Sequence, residues 1–364
     1  MNTINIGIIG ANLTAYVHIG SIETIIDSRI FGGKTKIEIK AICSLDSDKN
    51  ELLDSFKIPR TYIDYHDLIN DPTINTIVIT SSPKTHKEIF HYAANAKKNI
   101  FCEKQVALSL DDITQMIEAR DENNIISQIG FVLRTYPIFW FLKNLVANKE
   151  NQSNFGKLQN IRIRDDLQRQ MVEISNSKNE ETGFSTGILF KHSINDIDIL
   201  RYLFGEIKDV HARIKYFNES QQLEDSVAVT FELLNGSTAQ LTSVWHNMQR
   251  DERDIEIFYE NALINLTFNW EHGKIVIIEK DGLTKTFTSE EIDEEFRESI
   301  GFGDLYPLPS GGFGYEILLF LKRIITKDIK NESYLTASLE DGLMANTIIN
   351  SCYESSKTNT TIKL

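Results

Sequence analysis

The pattern of apolar and polar positions changes character near residue 125. Before it, short β-branched apolar runs at 4–11, 37–43, 76–80 and 100–102 alternate with stretches of helical spacing. The helical stretches are 16–26 and the one through His86, Phe90, Ala93 and Ala94. Apolar runs of four to eight residues closed by polar residues or proline predict buried strands, and their alternation with helices predicts a parallel, doubly wound sheet. After it, residues 138–147 form an aromatic helix, the polar run 148–154 a surface loop, and 157–165 a strand. The runs 227–233, 239–244, 256–259, 262–268 and 274–278 predict further strands, separated by Asn-Gly, His-Gly and Asp-Gly turn signals. Such a region predicts an open, mainly antiparallel sheet. Residues 301–314 predict a long loop, 315–326 a helix, and Ser338-Leu339-Glu340-Asp341 the N-cap of a last helix ending near Ser355. The expected fold class is α/β plus α+β, with domains at 1–125 and 126–364.

The first strand and its turn carry a dinucleotide-binding pattern. Gly10, Ala11, Asn12 and Leu13 lead from strand to helix, where a pyrophosphate would rest on the helix N-terminus. Gly10 supplies the tight turn and Ala15 the close-packing position, while Asn12 stands where backbone would approach phosphate. The pattern predicts a Rossmann-type domain with an altered fingerprint. At the end of the second strand, Ser44 replaces the carboxylate that would bind a ribose hydroxyl, and the acid comes late, at Asp46. NAD and NADP both remain open. Ser81, Pro83 and His86 form the loop and helix start over the crevice. His86 either touches the nicotinamide or ribose or packs at the helix start.

The stretch around which the chemistry gathers is Cys102-Glu103-Lys104-Gln105-Val106-Ala107, at the carboxyl end of a strand, where such sheets bind ligands. Lys104 there can hold a substrate oxygen or relay a proton; the alternative is an ordinary surface charge. Arg134 is a candidate for an anionic or hydroxylated ligand, with a helix-flanking salt bridge as its alternative, and Tyr136 lies beside it. Lys191, Asn195 and Asp198 share one helix face at i, i+4 and i+7, which forms either a site wall or a solvated side. His192 points about 300° away from Asn195 on a regular helix, so it serves the site only if the backbone there is not regular.

Composition narrows the partners. A net charge of −14 argues against nucleic acid or an anionic membrane surface. Three widely spaced cysteines fit a reducing, cytoplasmic setting without a metal site, and neither a signal peptide nor a membrane span is expected. The free face of an open sheet suits a homodimer or homotetramer.

With these residues laid out, the chain resembles the Gfo/Idh/MocA family of NAD(P)-dependent oxidoreductases. Val78-Ile79-Thr80-Ser81-Ser82-Pro83 with His86 looks like the family's strand and loop before its catalytic lysine. Glu103-Lys104-Gln105-Val106-Ala107 resembles its Glu-Lys-Pro motif, and the run Asn195 to Gly205 its His-x-x-Asp helix. The resemblance implies hydride transfer between a nicotinamide and a carbon bearing a hydroxyl, on a sugar, polyol or sugar nucleotide. Lys104 takes the place of the family's lysine, while Lys191 and Asn195 stand where a carboxylate and a histidine usually help. Asparagine cannot exchange a proton near neutral pH, which leaves His192 as a helper and Asp198 to position substrate. A pocket with Arg134, Lys104 and Lys191 would suit an anionic substrate. Two rival readings follow from the departures. One is a catalytically silent relative that binds a ligand or protein partner; the other is an imine reductase using two lysines.

Overall fold

The computed structural model describes residues 2–44, 56–168, 187–217, 223–248, 251–270, 272–308, 310–331 and 333–364. Asp46 lies outside the described residues. By contact density the chain forms two compact units, Met1–Tyr136 with Asp304–Met344, and Pro137–Gly303 with Ala345–Leu364. This division differs from a single cut at 125/126 in returning the segment Asp304–Met344 to the first unit.

The first unit is built on β1 (Asn2–Ile9), β2 (Thr35–Cys43), β3 (Thr61–Tyr62), β4 (Thr76–Ile79), β5 (Asn99–Glu103) and β6 (Ser127–Gly130). Every pairing is parallel, in the order β3-β2-β1-β4-β5-β6. All four residues of β4 are buried, as an unbroken apolar run requires when helices cover both faces. The order reverses between β1 and β4, so the crevice beyond their carboxyl ends is the binding position of this fold class. Helix α1 (Leu13–Ser28) begins there, N-capped by Asn12, whose side chain accepts the Ala15 N–H. The helix Gly312–Thr326 also belongs to this unit: Ser310, just before it, hydrogen-bonds Ser21 of α1, and Phe313 meets the His18 ring edge-on.

The second unit contains β7 (Leu158–Gln168), β8 (Ile207–Lys215), β9 (Ser226–Leu233), β10 (Thr238–His246), β11 (Glu252–Tyr259), β12 (Ala262–Phe268), β13 (Gly273–Glu279), β14 (Thr284–Thr288) and β15 (Ile362–Lys363). They form one open sheet in the order β14-β13-β12-β11-β7-β10-β9-β8-β15. Only β7 and β10 pair in parallel. The hairpins at Asn235-Gly236 and Asp281-Gly282 place their glycines at φ 83° and 87°, the left-handed region these turns demand. One face of the sheet is buried. The other shows Arg162, Arg164, Asp254 and Glu256, with Arg164 bridging Glu252 and Asp254.

Several expectations are corrected. The polar run 148–154 is not a loop: Lys149–Phe155 is helical because Asn148 caps it, accepting from Glu150 and Asn151. The helix expected at 315 starts at Gly312. Strands β8 and β14 and the helix Ser289–Ser299, closed by a Thr288–Glu291 capping box, went unread.

Candidate functional site

In the first unit, the crevice is lined by two strand ends and their turns. Gly10 has φ 116°, and a Cβ on it would lie 2.6 Å from the Ser81 nitrogen and the Thr80 Oγ1, so only glycine fits. Asn12 has an ordinary extended backbone, and its side chain is tied down: Nδ2 donates to the Thr80 carbonyl at 2.6 Å while Oδ1 caps Ala15. The asparagine in the fingerprint therefore joins β4's end to α1's start. Ala11 is half-buried and Leu13 exposed beside it. Ser44, at the end of β2, is buried and donates its N–H to Tyr62. Ser81 shares a hydrogen bond with Thr85, and Pro83 opens the helix Pro83–Asn95.

His86 is buried, with Nε2 2.9 Å from the Ser81 carbonyl and Nδ1 3.1 Å from that of Gln105. Burial lowers its proton affinity. Of the two sequence alternatives the geometry favours packing: the ring sits between the carbonyls after β4 and after β5, and in its neutral form it donates to one of them.

Glu103 ends β5, and both of its carboxylate oxygens have partners within the first unit. Its Oε1 meets His18 Nε2 at 2.7 Å, and its Oε2 accepts the Lys104 N–H at 3.0 Å. Glu316 completes this buried group; burial first, and the Glu103 carboxylate second, push its carboxyl well above the usual range. Lys104 follows half-buried, and Gln105 after it adopts φ 61°. A non-glycine residue in that region is strained by about 1–2 kcal/mol, and such strain clusters at functional sites. Proline is locked near φ −65°, so the departure from Glu-Lys-Pro is a difference of backbone as well as side chain.

Two further candidates lie on this unit. Arg134 is buried and makes a two-point ion pair with Asp341, the residue that also closes the Ser338 cap. The salt bridge weighed for Arg134 is therefore present. Tyr136 is buried against Gly311 and Gly312, where a Cβ on Gly312 would meet its ring at 2.4 Å.

In the second unit, Leu189–Ser193 is a π-helical turn leading into the helix Ile194–Phe204. π-turns shift the register of everything before them and are frequent at functional sites. The turn is anchored at its start by Glu224. That carboxylate binds the backbone N–H groups of Gly187 and Leu189 and the Tyr353 hydroxyl. A Cβ at Gly187 would come within 2.2 Å of the Glu224 carbonyl oxygen, which makes glycine obligatory. The irregular backbone meets the condition set for His192. Its Nδ1 lies 2.7 Å from Asp165 Oδ2, and Asp165 Oδ1 lies 3.0 Å from Arg253. Arg253 in turn donates from Nε and an NH2 group to Asp196, at 2.6 and 3.1 Å, and its guanidinium lies 5.3 Å from the Trp270 ring centre. Trp270 itself has φ 69°, and its ring meets that of His192 edge-on. Arg253 and His192 hold the Asp165 carboxyl well below its ordinary range, against the cost of burial, while burial raises that of Asp196. Although Asp165, His192 and Asp196 have ligand atoms close enough for a cation, Arg253 already brings a fixed positive charge to both carboxylates.

Lys191 is half-buried, whereas Asn195 and Asp198 are 2% and 1% exposed. The polar stripe is therefore not a solvated side. Asp165 and Arg253 were missed in the sequence. Both stand in the inward phase of their strands, with Ile161 and Ile163 on β7 and Ile255 and Ile257 on β11, and they face each other in register. A charge in an apolar phase was the available signal.

The profile of the oxidoreductase family with the NAD-binding Rossmann fold matches residues 4–131, and that of the GFO/IDH/MocA C-terminal domain matches 142–265. An uncharacterized oxidoreductase of Bacillus subtilis (strain 168) is 30% identical over 258 residues, 69% of this chain and 70% of that one. The myo-inositol 2-dehydrogenase of Thermotoga maritima is 31% identical over 211 residues, 57% of each chain. An oxidoreductase from Agrobacterium radiobacter, solved in complex with NAD+, L-tartaric acid and magnesium, superposes with a TM-score of 0.79 at 17% identity, over 99% of this chain and 98% of that one. The glycine turn, the strand-end lysine and the two profile matches agree, and the chain belongs to the GFO/IDH/MocA oxidoreductase family, with that family's NAD-binding Rossmann fold in its N-terminal part.

Proposed function

We propose that this oxidoreductase transfers hydride between a nicotinamide dinucleotide and a hydroxyl-bearing carbon of a sugar- or polyol-like substrate, with Lys104 polarising the substrate oxygen. The observation that carries this reading is the setting of Lys104. It follows β5 directly, its backbone N–H is held by the buried Glu103 carboxylate, and the next residue is locked in a left-handed turn. A lysine so placed presents a positive charge where charge develops on oxygen, which is the usual route to large rate gains. The chain also fits the cofactor. The Gly10 turn has no room for a side chain, Asn12 is folded back onto Thr80 and Ala15, and α1 offers its N-terminus. Gly10, Ala11, Asn12 and Leu13 would hold the pyrophosphate, and Ser44 would stand near the adenosine ribose; bound there, the nicotinamide supplies the hydride acceptor or donor. Residues 1–125 are read as the cofactor domain and 126–364 as the substrate and assembly domain. The substrate class rests on relatives: the Thermotoga maritima match is named for myo-inositol, and the Agrobacterium radiobacter structure holds L-tartaric acid.

Titration with NADH and NADPH, followed by nicotinamide fluorescence, tests the reading and separates the two cofactors. Micromolar binding supports it. Absence of binding at millimolar concentration by folded protein would return the crevice to a ligand or partner site without redox chemistry. A dimer or tetramer through the sheet face bearing Arg162, Arg164, Asp254 and Glu256 is part of the proposal, and light scattering on the purified chain tests it. A cytoplasmic setting is supported by Cys43, Cys102 and Cys352, all buried and unbridged. No described helix is long and apolar enough to cross a membrane.

A further inference from the structure

Glu103, the residue before Lys104, is one of three buried ionisable side chains that meet from separate segments of the first unit. The others are His18 from α1 and Glu316 from the helix Gly312–Thr326. We infer that Glu316 and His18 are positioning residues for Lys104, and that they act by fixing the Glu103 carboxylate on the Lys104 N–H. This rests on the role proposed for Lys104.

The hydrogens can be placed by elimination. A backbone N–H only donates, so Glu103 Oε2 accepts from Lys104 at 3.0 Å. Oε1 lies 2.7 Å from His18 Nε2, which requires one hydrogen between them. His18 Nδ1 is buried with no hydrogen-bond partner among the described residues. A hydrogen there would be a buried donor without an acceptor, which native structures rarely tolerate. The ring therefore carries its hydrogen on Nε2 and donates it to Glu103. The rings of Phe101 and Phe313 meet that of His18 edge-on, at 5.1 and 6.0 Å between centroids. Gly130 on β6 leaves the space the carboxylate fills, since a Cβ there would lie 3.0 Å from Oε1.

Glu316 supplies the second half. It is 1% exposed, and its Oε1 has no hydrogen-bond partner among the described residues. An oxygen of its carboxyl lies within 4.8 Å of a Glu103 oxygen and a His18 ring nitrogen. Two bare carboxylates at that range in a buried setting repel strongly. Burial first, and the Glu103 charge second, keep the proton on Glu316. Cations on the other elements packed against this helix are engaged elsewhere. Arg134, in the turn Val132–Thr135, pairs with Asp341, and Arg323, on the same helix, binds the Ser127 carbonyl and Asp328. A partnerless buried carboxyl costs stability that an apolar side chain would not. Here it sets the charge beside Lys104. With Glu316 neutral, the Glu103 carboxylate stays on the Lys104 N–H. With Glu316 ionised, repulsion pushes Glu103 off that N–H, and the turn with Gln105 at φ 61° loses an anchor.

The test is a pH titration by NMR of full-length protein labelled with 15N-lysine and 13Cδ-glutamate. The Glu316 carboxyl is assigned by its loss in Glu316→Gln, and the Lys104 amide by its loss in Lys104→Arg. Glu316 should titrate well above the ordinary glutamate value of about 4.3, and the Lys104 amide proton should move upfield through the same midpoint. In Glu316→Gln that transition should vanish, while the amide of Lys87, on the helix Pro83–Asn95, behaves alike in both proteins. His18→Phe, which removes the donor to Oε1, should shift the Lys104 amide at every pH. A Glu316 carboxyl titrating in the ordinary range overturns the inference. So does a Lys104 amide that stays flat up to the pH of unfolding, or that moves equally in Glu316→Gln. A merely structural Glu316 would change the melting temperature and leave the Lys104 amide still. If Glu316→Gln fails to fold, the two wild-type midpoints decide. Failure of NADH to bind the wild-type protein would instead remove the proposed function, and would leave these spectra unchanged.

Discussion

At the scale of residues, the candidate chemistry hangs on a few side chains whose neighbours set their behaviour. Lys104→Met should lower turnover on the order of 10²–10⁴-fold while leaving the NADH dissociation constant within about twofold. That pattern, measured by steady-state kinetics beside a fluorescence titration, marks loss of charge at the reacting oxygen. Gln105 offers a backbone test. Gln105→Gly should raise stability by up to about 1 kcal/mol through relief of φ 61°. Gln105→Pro should lower it, because φ cannot follow and the carbonyl held by His86 moves. Thermal melts of the pair read the difference. Glu316 gives a pH dependence of known sign. Its folded-state proton affinity is raised, so the folded chain keeps a proton that the unfolded chain has released. Its contribution is therefore neutral below the unfolded carboxyl range and increasingly unfavourable as pH rises towards the folded value. Glu316→Gln should be near neutral in melting temperature at pH 4 and increasingly stabilising towards pH 8. A flat difference across that range would sink the assignment. The strand-end position of Lys104 was legible in the sequence, whereas helix spacing turned His192 away from Asn195 and only the π-turn meets the condition set for it. Asp165 and Arg253 were not legible, because an inward charge means little until its partner is known, and the partner sits on another strand set by register.

At the scale of elements, short-range rules worked where one signal decided and failed where two competed. The strand–glycine–helix start was legible, yet Asn12 was read for what it would obstruct rather than for the helix cap and the Thr80 link it makes. The run 148–154 read as a loop for its polar composition, although Asn148 had already supplied a cap. The π-turn at Leu189–Ser193 has no local signature; it follows from the Glu224 anchor, which the sequence places in a different segment. Gly187→Ala tests that dependence. The added methyl meets a backbone oxygen at 2.2 Å rather than a movable side-chain tip, so a loss of about 1–3 kcal/mol is expected in denaturant melts. The side-chain NMR signals of His192, which sits in that turn, should shift in the same protein.

At the scale of the molecule, both sheets and the order in which they occur were readable, since alternation of strand and helix implies one kind of sheet and hairpin signals the other. What a reading along the chain could not show is the return of Asp304–Met344 to the first unit. That return has a testable cost. A chain cut after Tyr136 lacks the helix Gly312–Thr326, and with it Ser310, Phe313 and Glu316, the partners of Ser21, His18 and Glu103. The fragment should bind a dye such as ANS and lose near-ultraviolet circular dichroism, whereas the full chain does neither.

The parallel ladder between β7 and β10 also bears on how the second unit is made. Strand β7 is the first of its sheet to be synthesised and ends at the centre, between β10 and β11, both of which come much later in the chain. During synthesis β7 must wait, unpaired along both edges, until most of the unit has emerged. Loops that long must close before their contacts give anything back, which makes such topologies slow to fold and open to mispairing. Asp165 lies on β7 and Arg253 on β11, so the ion pair that orients His192 forms only when this last gap closes. Assembly of the unit and the fixing of the His192 ring would then be one event, which no partly folded state reaches early.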